Sequence, residues 1–357
     1  MGTTRSLKSL ALLEAADLMP CVANEPWIVD MAPSLRRALA WSTITLFSAL
    51  FYLTVAVLCC IPLLFWNALR HSNSTSLYAG VALFALSIVL ALHPTYEWPA
   101  ARRLCQLYYE IFQVKHNLTA ERAEKLVQEG EQDIFILGMH PHGIIPIQSL
   151  LWCAFCDQYV RTKKRGTLYG FGGMATIITR LPFLRTILGW LNGGPADYAT
   201  LKRGLRAGKN LYMLPGGLAE IFTAQPGRDV AVWRNRRGLC RLALETGARL
   251  TPLYVFGGND FFEQLVTSDS WIAKLSRRIG ASITLYWGRF GLPIPFVPQP
   301  GCVIAMGEPL PSVRCAGEKP TDDEVEALHA RYEAALLEVF ERTKAAAGRP
   351  EAVLEIR

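Results

Sequence analysis

From residue 38 to residue 69 the chain carries no charged side chain, and from 72 to 96 only His93 breaks the same absence. The first stretch exceeds the roughly 20 residues that cross about 30 Å of hydrocarbon as a helix. A soluble core rarely needs so long a run without charge. The run therefore predicts a membrane hairpin over residues 34–94, with hydrophobic segments at about 38–66 and 77–92. Pro62 is expected to end or kink the first segment. The second is barely long enough to span, so two crossings and a re-entrant hairpin are both compatible with it. Arg36 and Arg37 before the first segment, and Arg102 and Arg103 after the second, put both termini in the cytosol. Arg70 at the turn argues weakly against full crossing. The apolar stretch begins far from Met1 with no small-residue cleavage pattern behind it, which disfavours a secretory signal.

Outside these runs the 357 residues read as a soluble protein. Residues 1–33 form a polar-to-mixed N-terminal tail, and 95–357 a cytosolic domain. Within the tail, Met1-Gly2-Thr3-Thr4-Arg5-Ser6 fits the N-myristoylation pattern, a short match that arises easily by chance and that a hairpin makes redundant as an anchor. The nine cysteines are scattered and suggest no paired framework, as in a reducing compartment. A net charge of +7 suits an anionic membrane face or a phosphorylated substrate, but ordinary surface lysines and arginines would produce it too.

Apolar runs of strand length recur at 134–139, 211–214, 250–256, 283–287 and 303–306, with helical stretches between several of them and breaks rich in Gly and Pro. This alternation predicts an α/β domain with a mostly parallel sheet flanked by helices. One helix is expected over 237–246, stopped by Gly247. Another begins at the capping box Thr321-Asp322-Asp323-Glu324, and its Val325, Leu328, Tyr332, Leu336 and Phe340 share one face. That face is for packing.

Sites in such sheets gather at the carboxyl ends of strands. His140-Pro141-His142-Gly143 leaves the strand at 134–139, and an imidazole exchanges a proton near neutral pH. Read alone, the tetrapeptide is also compatible with a strand-end turn bearing two solvated histidines. Pro215-Gly216-Gly217-Leu218-Ala219-Glu220 follows the next apolar run. Its glycines allow a close backbone approach to an oxyanion, and Glu220 is placed to orient an imidazole. Arg234-Asn235-Arg236-Arg237-Gly238 opens a helix as a phosphate clamp or a solvated basic face. Lys202, Arg203, Arg206 and Lys209 add charge nearby in sequence. Phe256-Gly257-Gly258-Asn259-Asp260 ends a third run. Cys153 and Cys156 are one pair among aromatic neighbours, which fits a buried helix better than a zinc site, so no metal is expected. There is no G-x-S-x-G elbow and no P-loop, which weighs against a serine hydrolase and a nucleotide hydrolase.

In this order the clusters resemble the type-2 diacylglycerol acyltransferase family, which includes monoacylglycerol and wax-ester acyltransferases. The resemblance runs from about Tyr96 to Ile356. It takes in Tyr96-Glu97-Trp98-Pro99, the histidine tetrapeptide, Pro215-Gly216-Gly217 with Glu220, the arginine cluster, Pro252 to Gly257 with Asn259, Gly307-Glu308-Pro309 and the tail from Gly348. It implies a glycerolipid-acyltransferase-like domain behind a membrane hairpin. It also implies transfer of a fatty acyl group from acyl-CoA, a co-substrate rather than a cofactor, to diacylglycerol, giving triacylglycerol at the endoplasmic reticulum and lipid droplets. Monoacylglycerol and a long-chain alcohol are alternative acceptors, and a non-catalytic hairpin-anchored lipid-binding protein is the alternative of a different class.

On this resemblance His142 is expected to be the general base, with Glu220 as its orienting carboxylate, and the sequence leaves open whether His140 is the base instead. His140 would orient the tetrapeptide or hydrogen-bond the oxyanion. Backbone N–H groups at Gly143, Gly216 and Gly217 would share the oxyanion, and Arg234, Arg236 and Arg237 would hold the coenzyme A phosphates. Pro141, Pro215 and Asn259 would be supporting residues. No nucleic-acid partner is implied, and self-association is left open. Two departures stand out. The lysophosphatidate-type relatives carry an Asp five positions after the catalytic His, where this chain has Ile147. Many family members read Gly-Glu-Asn where this chain reads Gly257-Gly258-Asn259.

Overall fold

The computed structural model describes residues 17–357 except Arg165, Ala316 and Glu318, so the myristoylation pattern at Gly2 lies outside the described residues. Eight strands form the main sheet: β1 (Met19–Pro20), β2 (Lys115–His116), β3 (Phe135–His140), β4 (Phe171–Met174), β5 (Gly193–Pro195), β6 (Leu211–Met213), β7 (Arg249–Phe256) and β8 (Val303–Met306). Their spatial order is β1-β2-β8-β7-β3-β6-β4-β5. The run β7-β3-β6-β4-β5 is parallel throughout, while β8 lies antiparallel to β7 and β1 antiparallel to β2. The sheet is therefore mixed, with the expected parallel arrangement at its centre. The helices named below are α1 (Pro33–His71), α2 (Ser74–Leu92), α3 (Ile147–Tyr159), α4 (Gly217–Thr223), α5 (Gly238–Thr246) and α6 (Asp322–Lys344).

Four of the five apolar runs become strands of this sheet. The run at 283–287 does not: Tyr286–Trp287 pairs with Glu263–Gln264 in a separate two-stranded ribbon. Every residue of β3 is buried, as expected of a strand covered on both faces. Its side chains alternate. Phe135, Leu137 and Met139 join the core on one side with Trp152 and Phe155 of α3. Ile136 joins the other side with Trp233, Tyr254 and Tyr332. His140 is in phase with Ile136, and it packs edge-to-face with Trp233 at 6.1 Å and tilted against Tyr332 at 6.2 Å.

The capping box of α6 forms, and its five apolar positions are all buried. α5 ends at Gly247, which adopts φ +72°. Tyr332 of α6 donates its hydroxyl to the Gly138 carbonyl at 2.9 Å. A Cβ at position 138 would overlap that hydroxyl, so the absence of a side chain is what lets α6 lie against β3.

The charge-free stretch becomes two helices, each long and apolar enough to cross a bilayer by length and composition. α1 continues through Pro62 to His71, so the proline does not end it. The turn is made by Ser72 in the left-handed region and by Asn73, which caps α2 by accepting the Ser76 N–H at 3.1 Å. Gly80 packs against Leu64 and Phe65, and Asn67 donates to the Ser76 hydroxyl at 2.7 Å, which closes the hairpin.

The two halves of α1 differ. Ala40, Ile44, Ser48, Leu50 and Thr54 are buried. Tyr52 exchanges two hydrogen bonds with the Tyr286 backbone, and the two rings stack at 4.7 Å. Beyond residue 54, apolar side chains such as Leu63, Trp66 and Leu69, and Tyr78, Phe84 and Leu92 of α2, are exposed. Protein contact thus accounts for part of the charge-free run, and the apolar surface available to a bilayer is concentrated in its later part and in α2.

Two readings change. α1 begins at Pro33, beside the expected boundary, but the described residues before it are packed and not a free tail: β1 pairs with β2, Ile28 is fully buried, and Gln106 accepts the N–H groups of Asn24 and Glu25. Arg102 is no free flanking charge either. It is buried and paired with Glu97 and Asp157, so it carries less weight as an orientation signal than a solvated arginine would.

Gly138→Ala is expected to lower stability by about 1–3 kcal/mol, since the new methyl must displace Tyr332. A thermal melt of the purified variant in detergent measures this, and an unchanged midpoint would contradict the packing described.

Candidate active site

The turns that leave β3, β6 and β7 emerge side by side, because these strands are neighbours and parallel. Position 140 is level with Tyr254 in the β3–β7 register, so the histidine tetrapeptide begins where β7 is about to end. The expected convergence therefore forms. Its centre is the carboxylate of Glu220, on α4 and fully buried.

Glu220 Oε1 lies 2.7 Å from His140 Nδ1 and accepts the Val232 N–H at 2.8 Å. Its Oε2 accepts the His142 N–H at 2.6 Å. One carboxylate thus joins three segments of chain. Gly216 is required for it, since a Cβ there would overlap the Glu220 carboxyl group. Gly143 is equally constrained: it sits at φ +65°, and a Cβ would lie 2.6 Å from the Gly258 carbonyl oxygen. Pro141 packs on Gly258, which joins the third turn to the other two.

The two imidazoles are held differently from expectation. Glu220 faces the ring of His140, not that of His142. For His142 it orients the backbone, and the ring's Nδ1 lies 2.9 Å from the Gly143 carbonyl. A carbonyl only accepts, so Nδ1 carries the hydrogen and Nε2 keeps its lone pair. His142 is half-buried, and its pKa is lowered from the ordinary 6.5 mainly because burial disfavours the cation. The Gly143 carbonyl and the Glu220 charge oppose that shift without reversing it. His140 is fully buried, and its Nε2 has no hydrogen-bond partner among the described residues.

The glycines and arginines divide as well. Gly217, at φ +51°, donates its N–H to the Leu214 carbonyl at 3.2 Å, so that group is engaged in the turn rather than held open for an oxyanion. Arg236 donates to the Gly216 carbonyl at 2.8 Å and so ties the arginine cluster to the glycine turn. Arg234 is exposed, and its backbone N–H and that of Trp233 both donate to the Arg357 carbonyl, which anchors the cluster to the C-terminal strand Glu355–Ile356. Arg237 does not fit a phosphate clamp. It pairs with Glu326 at 2.7 Å and contacts His329 at 2.8 Å, both on α6. Lys202 is paired with Glu245.

Asn259 donates to the Arg228 carbonyl at 2.8 Å. Ile147 is fully buried. Sequence reasoning missed its neighbour Gln148, whose side-chain nitrogen donates to the Pro141 carbonyl at 2.7 Å and to the His142 carbonyl at 2.6 Å. A glutamine at the start of α3, just after the tetrapeptide and ahead of the apolar run 150–156, was the available signal. Cys153 and Cys156 are buried in the same helix, and the Cys153 thiol bonds the Leu150 carbonyl.

A pocket of about 760 Å³ is lined by Asp229, Asp260, Glu263, Glu351 and Arg349, among others, and by neither histidine. Its carboxylates outnumber its one guanidinium, which is itself paired with Asp260. That balance is wrong for a polyanionic thioester such as acyl-CoA.

The profile described as diacylglycerol acyltransferase matches residues 74–357. Diacylglycerol O-acyltransferase 2 of Bos taurus is 30% identical over 276 residues, which cover 70% of this chain and 69% of that protein. The Homo sapiens protein of the same name is 30% identical over 276 residues, with 70% and 64% covered. The 2-acylglycerol O-acyltransferase 1 of Bos taurus is 29% identical over 238 residues, covering 61% and 67%. The matched part of the chain thus spans about two thirds of the length of these relatives. The crystal structure of the 1-acyl-sn-glycerophosphate acyltransferase of Thermotoga maritima aligns with 84% of this chain and 99% of that one, at 15% identity and a TM-score of 0.36, a likeness too distant to carry an argument.

Glu220→Ala would leave His140 Nδ1 and the N–H groups of His142 and Val232 without their acceptor. It is expected to cost at least about 3 kcal/mol of stability, with Glu220→Gln costing less. Denaturation midpoints of the two variants check the order.

Proposed function

The chain belongs to the diacylglycerol acyltransferase family and is an acyltransferase, and on that premise we propose that it transfers a fatty acyl group from acyl-CoA to the free hydroxyl of diacylglycerol. The observation that carries this reading is the buried Glu220 carboxylate, which holds the histidine tetrapeptide while the Nε2 lone pair of His142 stays free. His142 Nε2 takes the hydroxyl proton as the acceptor oxygen attacks the thioester carbonyl. The tetrahedral intermediate then collapses, the carbon–sulfur bond breaks, and the proton passes to the departing coenzyme A thiolate. Backbone N–H groups at Gly143 and Gly216 stabilise the oxyanion; Gly217 leaves that set because its own N–H is engaged. Arg234 and Arg236 meet the coenzyme A phosphates, and Arg237 serves α6 instead.

His140, with Nδ1 toward Glu220, has no hydrogen on Nε2 in its neutral form, so its part is to fix the tetrapeptide. One observation favours a second reading in which His140 is the base: it is the ring that Glu220 faces, and its Nε2 lacks a partner. Complete burial of the ring weighs against it, because a base must reach the acceptor hydroxyl. Monoacylglycerol is the second acceptor, supported by the similarity to a 2-acylglycerol acyltransferase. The exposed apolar surface of α1 and α2 is consistent with membrane association. We place the enzyme in the endoplasmic reticulum membrane with both termini cytosolic, and at lipid droplets.

Membranes containing the protein, given labelled acyl-CoA and each acceptor in parallel, should form triacylglycerol fastest. Free fatty acid would indicate hydrolysis, and no product would favour a lipid-binding protein. His142→Ala should cut turnover by at least about 10²-fold, whereas near-normal turnover with a dead His140→Ala would move the base to His140.

The base acts when neutral, and burial shifts its pKa downward, so the midpoint of the acid limb of kcat/KM should fall below the 6.5 of an ordinary imidazole. An acid limb above 6.5 contradicts the assignment. Arg234→Ala should raise KM for acyl-CoA several-fold at constant kcat, while Arg237→Ala should lower the melting temperature without that change.

A further inference from the structure

Both peptide groups that flank His142 are held by side chains, and one side chain holds two of the three bonds. In the first peptide, the Pro141 carbonyl accepts from Gln148 and the His142 N–H donates to Glu220. In the second, the His142 carbonyl accepts from Gln148. Peptide planes hinge only at Cα, so fixing the planes on either side of His142 fixes its backbone and the point from which its ring projects. Glu220 constrains one plane; Gln148 alone constrains both.

The Gln148 amide is fully buried in the first turn of α3, and that turn begins after Pro146 with no side-chain cap. Two carbonyls against one nitrogen settle which end of the amide faces the tetrapeptide, since only –NH₂ can donate twice. The other end, Oε1, has no hydrogen-bond partner among the described residues. A buried acceptor left unpaired costs stability, whereas the two donated bonds serve the Pro141 and His142 carbonyls, so the value of this glutamine lies at its nitrogen.

We propose that Gln148 is a positioning residue for the acyl transfer, holding His142 in line with the acceptor hydroxyl. This rests on the reading of His142 as the base. It requires no contact between Gln148 and substrate. The carboxylate of a glutamate would oppose the same two carbonyls with oxygens, so Gln148→Glu preserves shape and removes the clamp, and Gln148→Leu removes it by deleting the donors.

The test is steady-state kinetics of the full-length enzyme in detergent or nanodiscs with acyl-CoA and diacylglycerol. Gln148→Leu is expected to lower kcat by about 10- to 10²-fold, the scale of a displacement of about 1 Å in a reacting group, with KM for acyl-CoA within about twofold of the parent. Its acid limb should move up toward 6.5, because a loosened ring regains water. In the His142→Ala background the same substitution should have no further effect on kcat, since there is no base left to position. A purely structural glutamine would lower melting temperature and active fraction but move neither the limb nor this non-additivity. A folded Gln148→Leu enzyme with kcat within about threefold of the parent and an unmoved limb overturns the proposal. Should the leucine variant not fold, Gln148→Met, which matches the glutamine in length and carries no charge or donor, is read by the same criteria. Failure of the base assignment itself would be seen separately, as near-normal turnover of His142→Ala alone.

Discussion

A carboxylate sealed from water is tolerable only when donors surround it. Glu220 meets that requirement with three groups from two places far from each other in sequence: the His140 ring and the His142 N–H in the turn after β3, and the Val232 N–H. The need works in both directions. The donors hold the charge, and the charge fixes the turn after β3, the start of α4 and the segment entering the arginine cluster. Gly216 yields its side-chain volume to let the carboxyl group in, and Gly143 yields its own to the Gly258 carbonyl.

The sheet makes that junction rigid. β3 lies between β7 and β6 and is buried on both faces, so the tetrapeptide leaves from a strand held by neighbours on both sides. On the α6 side, Trp233 stacks on His329 at 4.7 Å and lies tilted against Tyr332 at 4.2 Å, and His140 meets Trp233 edge-on and Tyr332 at a tilt. Tyr332 in turn bonds Gly138, two residues before His140. A packing helix without chemistry of its own thereby shapes the wall against which the Glu220–His140 pair rests.

The helical hairpin is rooted in the same domain. Its first half is held by Tyr52 on Tyr286 and by the buried face from Ala40 to Thr54, while its second half and α2 expose apolar side chains. Absence of charge has two causes along one helix, burial in protein and surface suited to lipid. Sequence alone does not separate them, because both favour the same residues. Ahead of that helix, a mixed segment that looked like a tail lends Ile28 to the core and β1 to the sheet edge.

What the sequence by itself determined was everything local or periodic: the buried strand before the tetrapeptide, the glycine turn after the next strand, the Gly247 stop, the capping box of α6 and its apolar face, and two charge-free helices. These follow from short-range sterics and from hydrophobic spacing, which are written in neighbouring residues. What only the tertiary structure decided was who meets whom. Glu220 faces His140 and grips His142 by its backbone, Arg237 turns to Glu326 instead of a phosphate, the run at 283–287 falls outside the main sheet, and Gln148 reaches back to two carbonyls. Each of these depends on distances between segments remote in the chain, set by strand order and by the demand that every buried charge and peptide group find a partner.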